Sequence, residues 1–186
     1  MRPKDHSSGY GSPLIALHWL MLLLIVLVYA CIELRVLYPR GSELRDALKT
    51  WHYMLGLGVF MLVWVRLAVR ILGRTPAIIP PPPGWQMKLA HFSEFTIYIF
   101  MIAMPVMGWL ILSADNDPVE FFGVRLPALV AENKQLATQL EDAHELVGKL
   151  GYFLIGSHAA AALVHHYIQR DNALRRMMPA RLRSDG

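Results

Sequence analysis

The sequence contains little cysteine and little charge. Cys31 is the single cysteine among 186 residues, so no disulfide can form within the chain, and the Cys-x-x-Cys-His motif that attaches haem covalently is absent. Charged residues make up 17% of the chain, below the roughly 25% of ordinary globular domains. Hydrophobic residues reach 55%, and the mean hydropathy is +0.37. This balance excludes an ordinary soluble domain and indicates a membrane protein.

Charge is scarcest in four long apolar stretches. The first, from Leu14 to Ile32, holds one residue that can carry a charge near neutral pH, His18. Each stretch approaches the roughly 20 residues that cross a bilayer as a helix. The sequence therefore predicts an all-α, integral membrane four-helix bundle that forms one domain over residues 1–186. The predicted helices cover about 13–33, 52–72, 89–114 and 145–168.

The first stretch has a second interpretation, as a secretory signal peptide, because Arg2 and Lys4 precede it. It is, however, longer than the usual apolar region of about 7–15 residues and lacks a small-residue cleavage site. It also contains His18. We therefore favour a membrane helix.

Basic residues are divided unevenly between the two sides of the predicted bundle. Eleven of the eighteen lie on the side that carries both termini: Arg2, Lys4, Arg66, Arg70, Arg74, Lys88, Arg170, Arg175, Arg176, Arg181 and Arg183. Cytoplasmic segments retain lysine and arginine during membrane insertion. We therefore expect both termini to be cytoplasmic.

The polar segment from Ala131 to Glu145 separates the third and fourth predicted helices. Leu136, Leu140 and Leu146 recur within it at spacings that suit one helix face. We predict a short amphipathic periplasmic helix over about 131–143, with a solvated loop as the alternative.

Histidines fall at two predicted depths. His18 lies near the start of the first helix and His52 at the start of the second, so antiparallel helices place them at opposite membrane faces. His144 opens the fourth helix at the same face as His52. His158 follows fourteen residues later, about 21 Å along the helix and within about 40° of the same helix face. Depth therefore pairs His52 with His144, and His18 with His158.

Such imidazole pairs, buried between membrane helices, are suited to bind haem iron from both sides. Without paired thiols the haem is expected to be of b type. An iron whose two axial positions are both occupied by imidazoles favours electron transfer over oxygen binding. We therefore predict two haem b groups, with His18, His52, His144 and His158 as iron ligands. Taken singly, each histidine also fits an interfacial or hydrogen-bonded role.

His165 and His166 lie below the inner predicted haem. His165 follows His158 by seven residues, about 10.5 Å lower on nearly the same helix face. A neutral imidazole there can hydrogen-bond a quinone carbonyl and pass a proton to the reduced oxygen. An interfacial pair of polar residues is the alternative. His166 points about 100° away and is the weaker candidate.

Several motifs occur along the chain, and the most specific is the block from Gly151 to Ala162. The others are Leu17-His18-Trp19-Leu20, His52 with Gly56, Leu89-Ala90-His91, Pro105 with Gly108, His165-His166-Tyr167 and Arg176-Met177-Met178-Pro179. These motifs resemble those of the bacterial cytochrome b561 family, and within it the superoxide oxidase branch. The resemblance covers about Pro13 to Pro179.

This resemblance implies a dihaem cytochrome of the inner membrane that oxidises superoxide at the periplasmic face and reduces ubiquinone. The family's four ligand positions match the histidines that depth selects. Glu94 departs from the pattern, because a further histidine is expected three residues after His91. The departure leaves the predicted ligands untouched.

Lys49 and Lys149 are candidate residues for an anionic substrate, because they lie close in sequence to His52 and His144. The predicted periplasmic segments hold ten acidic and seven basic residues. Attraction of an anion would therefore have to be local to these two lysines. The expected partners are superoxide, quinone and membrane lipid, with no nucleic acid.

Two other functions are compatible with parts of the pattern. One is a haem-bearing anchor subunit that relays electrons between a partner dehydrogenase or hydrogenase and the quinone pool. The other is a zinc transporter, which requires histidines clustered with carboxylates at one depth. The split of the histidines between two depths disfavours the transporter.

Overall fold

Four long helices dominate the computed structural model, which describes residues 9–179. The helices are α1 (Ser12–Leu34), α2 (Glu43–Leu72), α3 (Gly84–Asp115) and α4 (Lys134–Val164). A small antiparallel hairpin, β1 (Glu120–Phe121) and β2 (Val124–Arg125), follows α3. Three short helical turns cover Arg35–Leu37, His165–Gln169 and Arg175–Met177. All four long helices are long and apolar enough to cross a membrane, as predicted.

The second and third helices, like the fourth, begin earlier than the apolar pattern indicates. α2 starts at Glu43 rather than near His52, because the Ser42 hydroxyl accepts a hydrogen bond from Arg45 N and acidic residues occupy the first turn. α3 starts at Gly84, directly after Pro83. The start of α2 thus follows its capping residue, whereas no side chain caps α3.

The prediction of a separate helix over 131–143 is wrong, and so is the predicted start of the fourth helix at 145. α4 is continuous from Lys134, where the side chain of Asn133 accepts a hydrogen bond from Leu136 N at 3.0 Å. No glycine or proline interrupts the chain between Lys134 and Glu145, so nothing ends the helix there. The α-helix ends at Val164, and a π-helical turn continues to Gln169.

The buried core is small. Val63 is fully buried, with Met21, Val59 and Met101 around it. By contrast, many apolar side chains on the outer surface of the bundle are exposed, and Leu72 is exposed by 86%. In a membrane helix bundle lipid covers such side chains, so their exposure is compatible with stability.

Contacts between the helices are unequal. α1 packs along α2, α3 packs along α4, and α2 joins the two pairs through α3. The backbones of α2 and α4 approach each other less closely than those of any of these pairs. The structure therefore leaves a space between the helices that carry His52 and His144.

The last described residues tie the helices together where α1 begins and α4 ends. The Tyr10 amide donates to Arg176 O at 3.0 Å, and the Arg176 guanidinium donates to the Tyr10 hydroxyl at 2.8 Å. The Trp19 indole of α1 donates to Met177 O at 2.9 Å. Asn172 contacts the connection between α2 and α3, accepting a hydrogen bond from Ile79 N. We call this side of the bundle the inner end and the opposite side the outer end.

Candidate functional site

His52 and His144 face each other in the outer half of the bundle. Their ring centroids are 6.2 Å apart, with an interplanar angle of 75°. A metal–imidazole bond is about 2 Å long, so one iron between two imidazoles separates the ring centres by about 6 Å. The side chains therefore stand at the separation that a shared iron requires.

The ring nitrogens of this pair also fit metal binding. His52 Nδ1 lies 3.0 Å from Val28 O, so Nδ1 donates to the carbonyl and Nε2 is left with a free lone pair. Metal-binding histidines commonly donate their second ring N–H in this way. His144 Nδ1 is buried and has no hydrogen-bond partner within residues 9–179. A buried polar atom without a partner indicates that a ligand or water molecule binds beside it.

A cavity of about 520 Å³ opens between the two histidines. This volume lies within the range of roughly 300–1,000 Å³ for ligand pockets. Glycines from three helices line it, namely Gly56, Gly108 and Gly148. A Cβ at Gly56 would meet no atom within 4 Å, whereas one at Gly108 would lie 3.7 Å from His144 Cε1. The missing side chains leave room for a flat ring beside the imidazoles, so the residues present fit a haem.

Both lysines selected from the sequence line this outer cavity. Lys49 Nζ lies over the Tyr53 ring, 5.7 Å from its centroid. Lys149 Nζ is 2.5 Å from Glu145 Oε1, and the lysine side chain is 66% exposed. The positive charge of Lys149 is therefore partly neutralised by a residue on the same helix.

Arg35 is a third basic residue at the outer cavity, and the sequence reasoning did not select it. Its Nε is buried and lacks a hydrogen-bond partner among the residues described. Its position immediately after the first predicted span was the available signal. Because Arg35 lies far in sequence from every histidine, its place beside the site becomes evident only in the folded chain.

The second predicted pair, His18 and His158, lies nearer the inner end. His18 is within electrostatic range of His158 and of Arg66. His158 is likewise within range of Glu94 and Arg66. Glu94, which departs from the family pattern, forms an ion pair with Arg70 at 2.7 Å. The structure thus brings the two predicted partners to one end of the bundle, and their ligation of iron stays a prediction.

His165 lies in the π-helical turn that ends the fourth transmembrane segment. Its Nδ1 is 2.5 Å from Asp171 Oδ2, and the Asp171 side chain is 2% exposed. Sequence reasoning missed Asp171, because it follows the predicted helix in a segment without apolar periodicity. His166 has a buried Nδ1 without a partner among the described residues. It lines a second cavity, of about 450 Å³, together with Asp171, Arg170 and Arg175.

No group of three or more His, Cys, Asp or Glu side chains that could hold a metal ion occurs within the described part of the chain. The two histidine pairs therefore differ from the cluster that a zinc transporter requires.

The chain is similar to known proteins over most of its length. A family model described as prokaryotic cytochrome b561 matches residues 9–180. The chain is 40% identical to cytochrome b561 homolog 1 of Escherichia coli (strain K12) over 167 residues, which is 90% of this chain and 95% of that protein. It is 37% identical to the probable superoxide oxidase CybB of Yersinia pestis over 170 residues, 91% of this chain and 96% of the relative.

A more distant relative, cytochrome b561 homolog 2 of Escherichia coli (strain K12), is 25% identical over 177 residues, covering 91% of this chain and 90% of its own. The matches therefore extend over all four helices. The chain belongs to the prokaryotic cytochrome b561 family, and is thus a haem b protein of electron transport that crosses the bacterial inner membrane several times.

Proposed function

We propose that this protein is a superoxide:ubiquinone oxidoreductase, a single-domain dihaem cytochrome with both termini in the cytoplasm. The observation that carries the electron-transfer part is the His52–His144 pair, 6.2 Å apart beside a cavity lined by glycines. The substrate is supported by the similarity to a relative named as a probable superoxide oxidase. The orientation is supported by the eleven basic residues on the side of the termini.

In this proposal His52 and His144 hold an outer haem, and His18 and His158 hold an inner haem. Two such groups supply one-electron transfer through the bundle. Each of two superoxide ions loses one electron and becomes O₂. One ubiquinone takes up the two electrons and two protons and becomes ubiquinol. The two half-reactions balance without a further reactant.

The side chains of the protein contribute binding and proton transfer. Lys49, Lys149 and Arg35 provide positive charge at the outer cavity. The cavity wall also carries Glu33, Asp115, Asp117, Glu141 and Glu145, so attraction of an anion depends on the local field of the three basic side chains. His165 supplies a hydrogen bond to a quinone carbonyl at the inner end. The two substrates are thereby kept on opposite sides of the membrane.

Purified protein provides the direct test of the proposal. We expect superoxide to reduce a soluble ubiquinone analogue in the presence of this chain alone, measured as quinol formation with superoxide dismutase as the control. The same preparation should contain two low-spin b haems per chain in its reduced-minus-oxidised spectrum. Quinol formation that requires an added dehydrogenase or hydrogenase subunit would instead identify the protein as a haem-bearing anchor.

The two lysines are expected to contribute unequally. Lys49→Gln should lower kcat/KM for superoxide by roughly three- to tenfold, since a local positive charge attracts the anion. Lys149→Gln should lower it by less than about twofold, because Glu145 already offsets that charge at the exposed surface. Stopped-flow kinetics at several ionic strengths measures both effects. Lys88→Gln, near the start of α3, is the matched control, and equal losses in the Lys49 and Lys149 variants would contradict the prediction.

A further inference from the structure

Asp171 is buried at the inner end although it is an acid outside the apolar core. Its Oδ2 is 2.5 Å from His165 Nδ1, and its Oδ1 accepts a hydrogen bond from Ala173 N at 2.8 Å. Its own amide donates to His165 O at 3.1 Å. Both carboxyl oxygens and the backbone are therefore fixed, and the side chain is held in one position against the imidazole.

A carboxyl group buried in this way needs a partner that shares a proton or a positive charge with it. Arg176, the other buried charged side chain of this segment, donates its guanidinium to the Tyr10 hydroxyl and lies over the Tyr10 ring. His165 is the side chain that contacts the Asp171 carboxyl group. The acid and the imidazole thus form a pair in which Nδ1–H donates to the carboxylate, and the carboxylate stabilises the imidazole when Nε2 also carries a proton.

The following inference rests on the proposed function and assigns a role that the function alone does not require. We propose that Asp171 is a positioning residue that fixes His165 through Nδ1, aims Nε2–H of the charged imidazole at a quinone carbonyl, and supports His165 as the proton donor in quinone reduction. A carboxylate that orients a histidine and stabilises its charged form is an established arrangement in proton transfer.

The chemistry of each proton transfer balances. Before transfer His165 is an imidazolium, whose Nδ1–H donates to the Asp171 carboxylate and whose Nε2–H donates to a quinone carbonyl oxygen. When an electron reaches the quinone, the Nε2–H bond breaks and an O–H bond forms on the quinone oxygen. The pair is left as neutral His165, with Nδ1–H donating to the Asp171 carboxylate. A proton from water recharges the imidazole, and a second cycle completes the quinol.

The second cavity provides a place from which that proton can come. It measures about 450 Å³, and Asp171 forms part of its wall. A water molecule occupies about 30 Å³ in the liquid, so several fit. The other ionisable groups of the wall are His166, Tyr167, Arg170 and Arg175. The buried acid therefore lies between the imidazole and a space large enough for water.

Asp171→Asn separates this role from haem binding. We expect unchanged haem content and unchanged reduction of the haems by superoxide in the absence of quinone. The kcat of quinone reduction should fall by roughly ten- to hundredfold, as for loss of a residue that orients a functional histidine, while KM for the quinone analogue changes little. Asp142→Asn, on the exposed surface of α4, is the matched control.

A double-mutant cycle and an isotope measurement complete the test. Asp171→Asn combined with His165→Gln should be no slower than His165→Gln alone, because the two residues act as a unit. Wild-type protein should show a solvent deuterium isotope effect on quinone reduction and none on haem reduction by superoxide, a result that needs no variant to fold.

An Asp171→Asn protein as fast as wild type, or the lack of an isotope effect on quinone reduction, would overturn the inference alone. Failure of wild-type protein to reduce quinone would overturn the proposed function together with it.

Discussion

His144→Ala is expected to remove one of the two b haems. The haem-to-protein ratio should fall from about two to about one, since a b-type haem is held by its axial ligands without a covalent bond. Superoxide-driven quinone reduction should become undetectable, because the electron path loses its outer half. A pyridine haemochrome assay on purified protein measures the ratio, and stopped-flow spectroscopy measures the rate.

The partner histidine gives an independent check on this result. His52→Ala should have the same consequence, whereas His158→Ala should leave the outer haem in place and remove the inner one. His91→Ala is the control, because His91 is exposed on α3 and lies outside both proposed pairs. Full haem content in both the His144 and the His52 variant would show that this pair does not bind the cofactor.

Gly151→Ala is expected to disrupt the packing between α1 and α4. A Cβ at this buried position would collide with the Tyr29 hydroxyl and the Phe100 ring. The Tyr29 hydroxyl already donates to Gly148 O at 2.7 Å, and its ring packs on Tyr152 with centroids 4.4 Å apart. Moving Tyr29 would therefore break contacts that join the two helices, and overpacking of this kind costs about 1–3 kcal/mol.

Thermal unfolding in detergent, followed by circular dichroism, measures this loss. Gly58→Ala is the matched control, because Gly58 also lies inside a long helix but a Cβ there meets no atom within 4 Å. The control should be as stable as wild type or slightly more stable, given the helix propensity of alanine. An unfolding midpoint in the Gly151 variant equal to that of the control would contradict the prediction.

The four helices and the pairing of His52 with His144 could be predicted from the sequence, although the helix starts could not. His52 lies nine residues inside α2 and His144 ten residues inside α4, rather than at their first positions. Both starts move outwards by nearly the same length, so the relative depth of the two imidazoles is unaffected. Apolar runs report where lipid begins, whereas capping residues such as Ser42 and Asn133 decide where a helix begins.

The Asp171–His165 contact could not be predicted, for a different physical reason. The chain after Val164 leaves the α-helix through a π-helical turn, and Arg170 then adopts a left-handed backbone conformation with φ 57°. Helical periodicity therefore gives no information on where Asp171 lies. A buried acid within a polar segment also has no hydrophobic signal of its own, so its role emerges from the folded structure.

The contacts of Tyr10 with Arg176, and of Trp19 with Met177, set an order for biogenesis. The first helix leaves the ribosome long before the residues that anchor its end have been synthesised, since 166 positions separate Tyr10 from Arg176. Its final fixation must therefore await insertion of the last helix. Until then Tyr10 and Trp19 lack the hydrogen-bond partners that they have in the complete bundle.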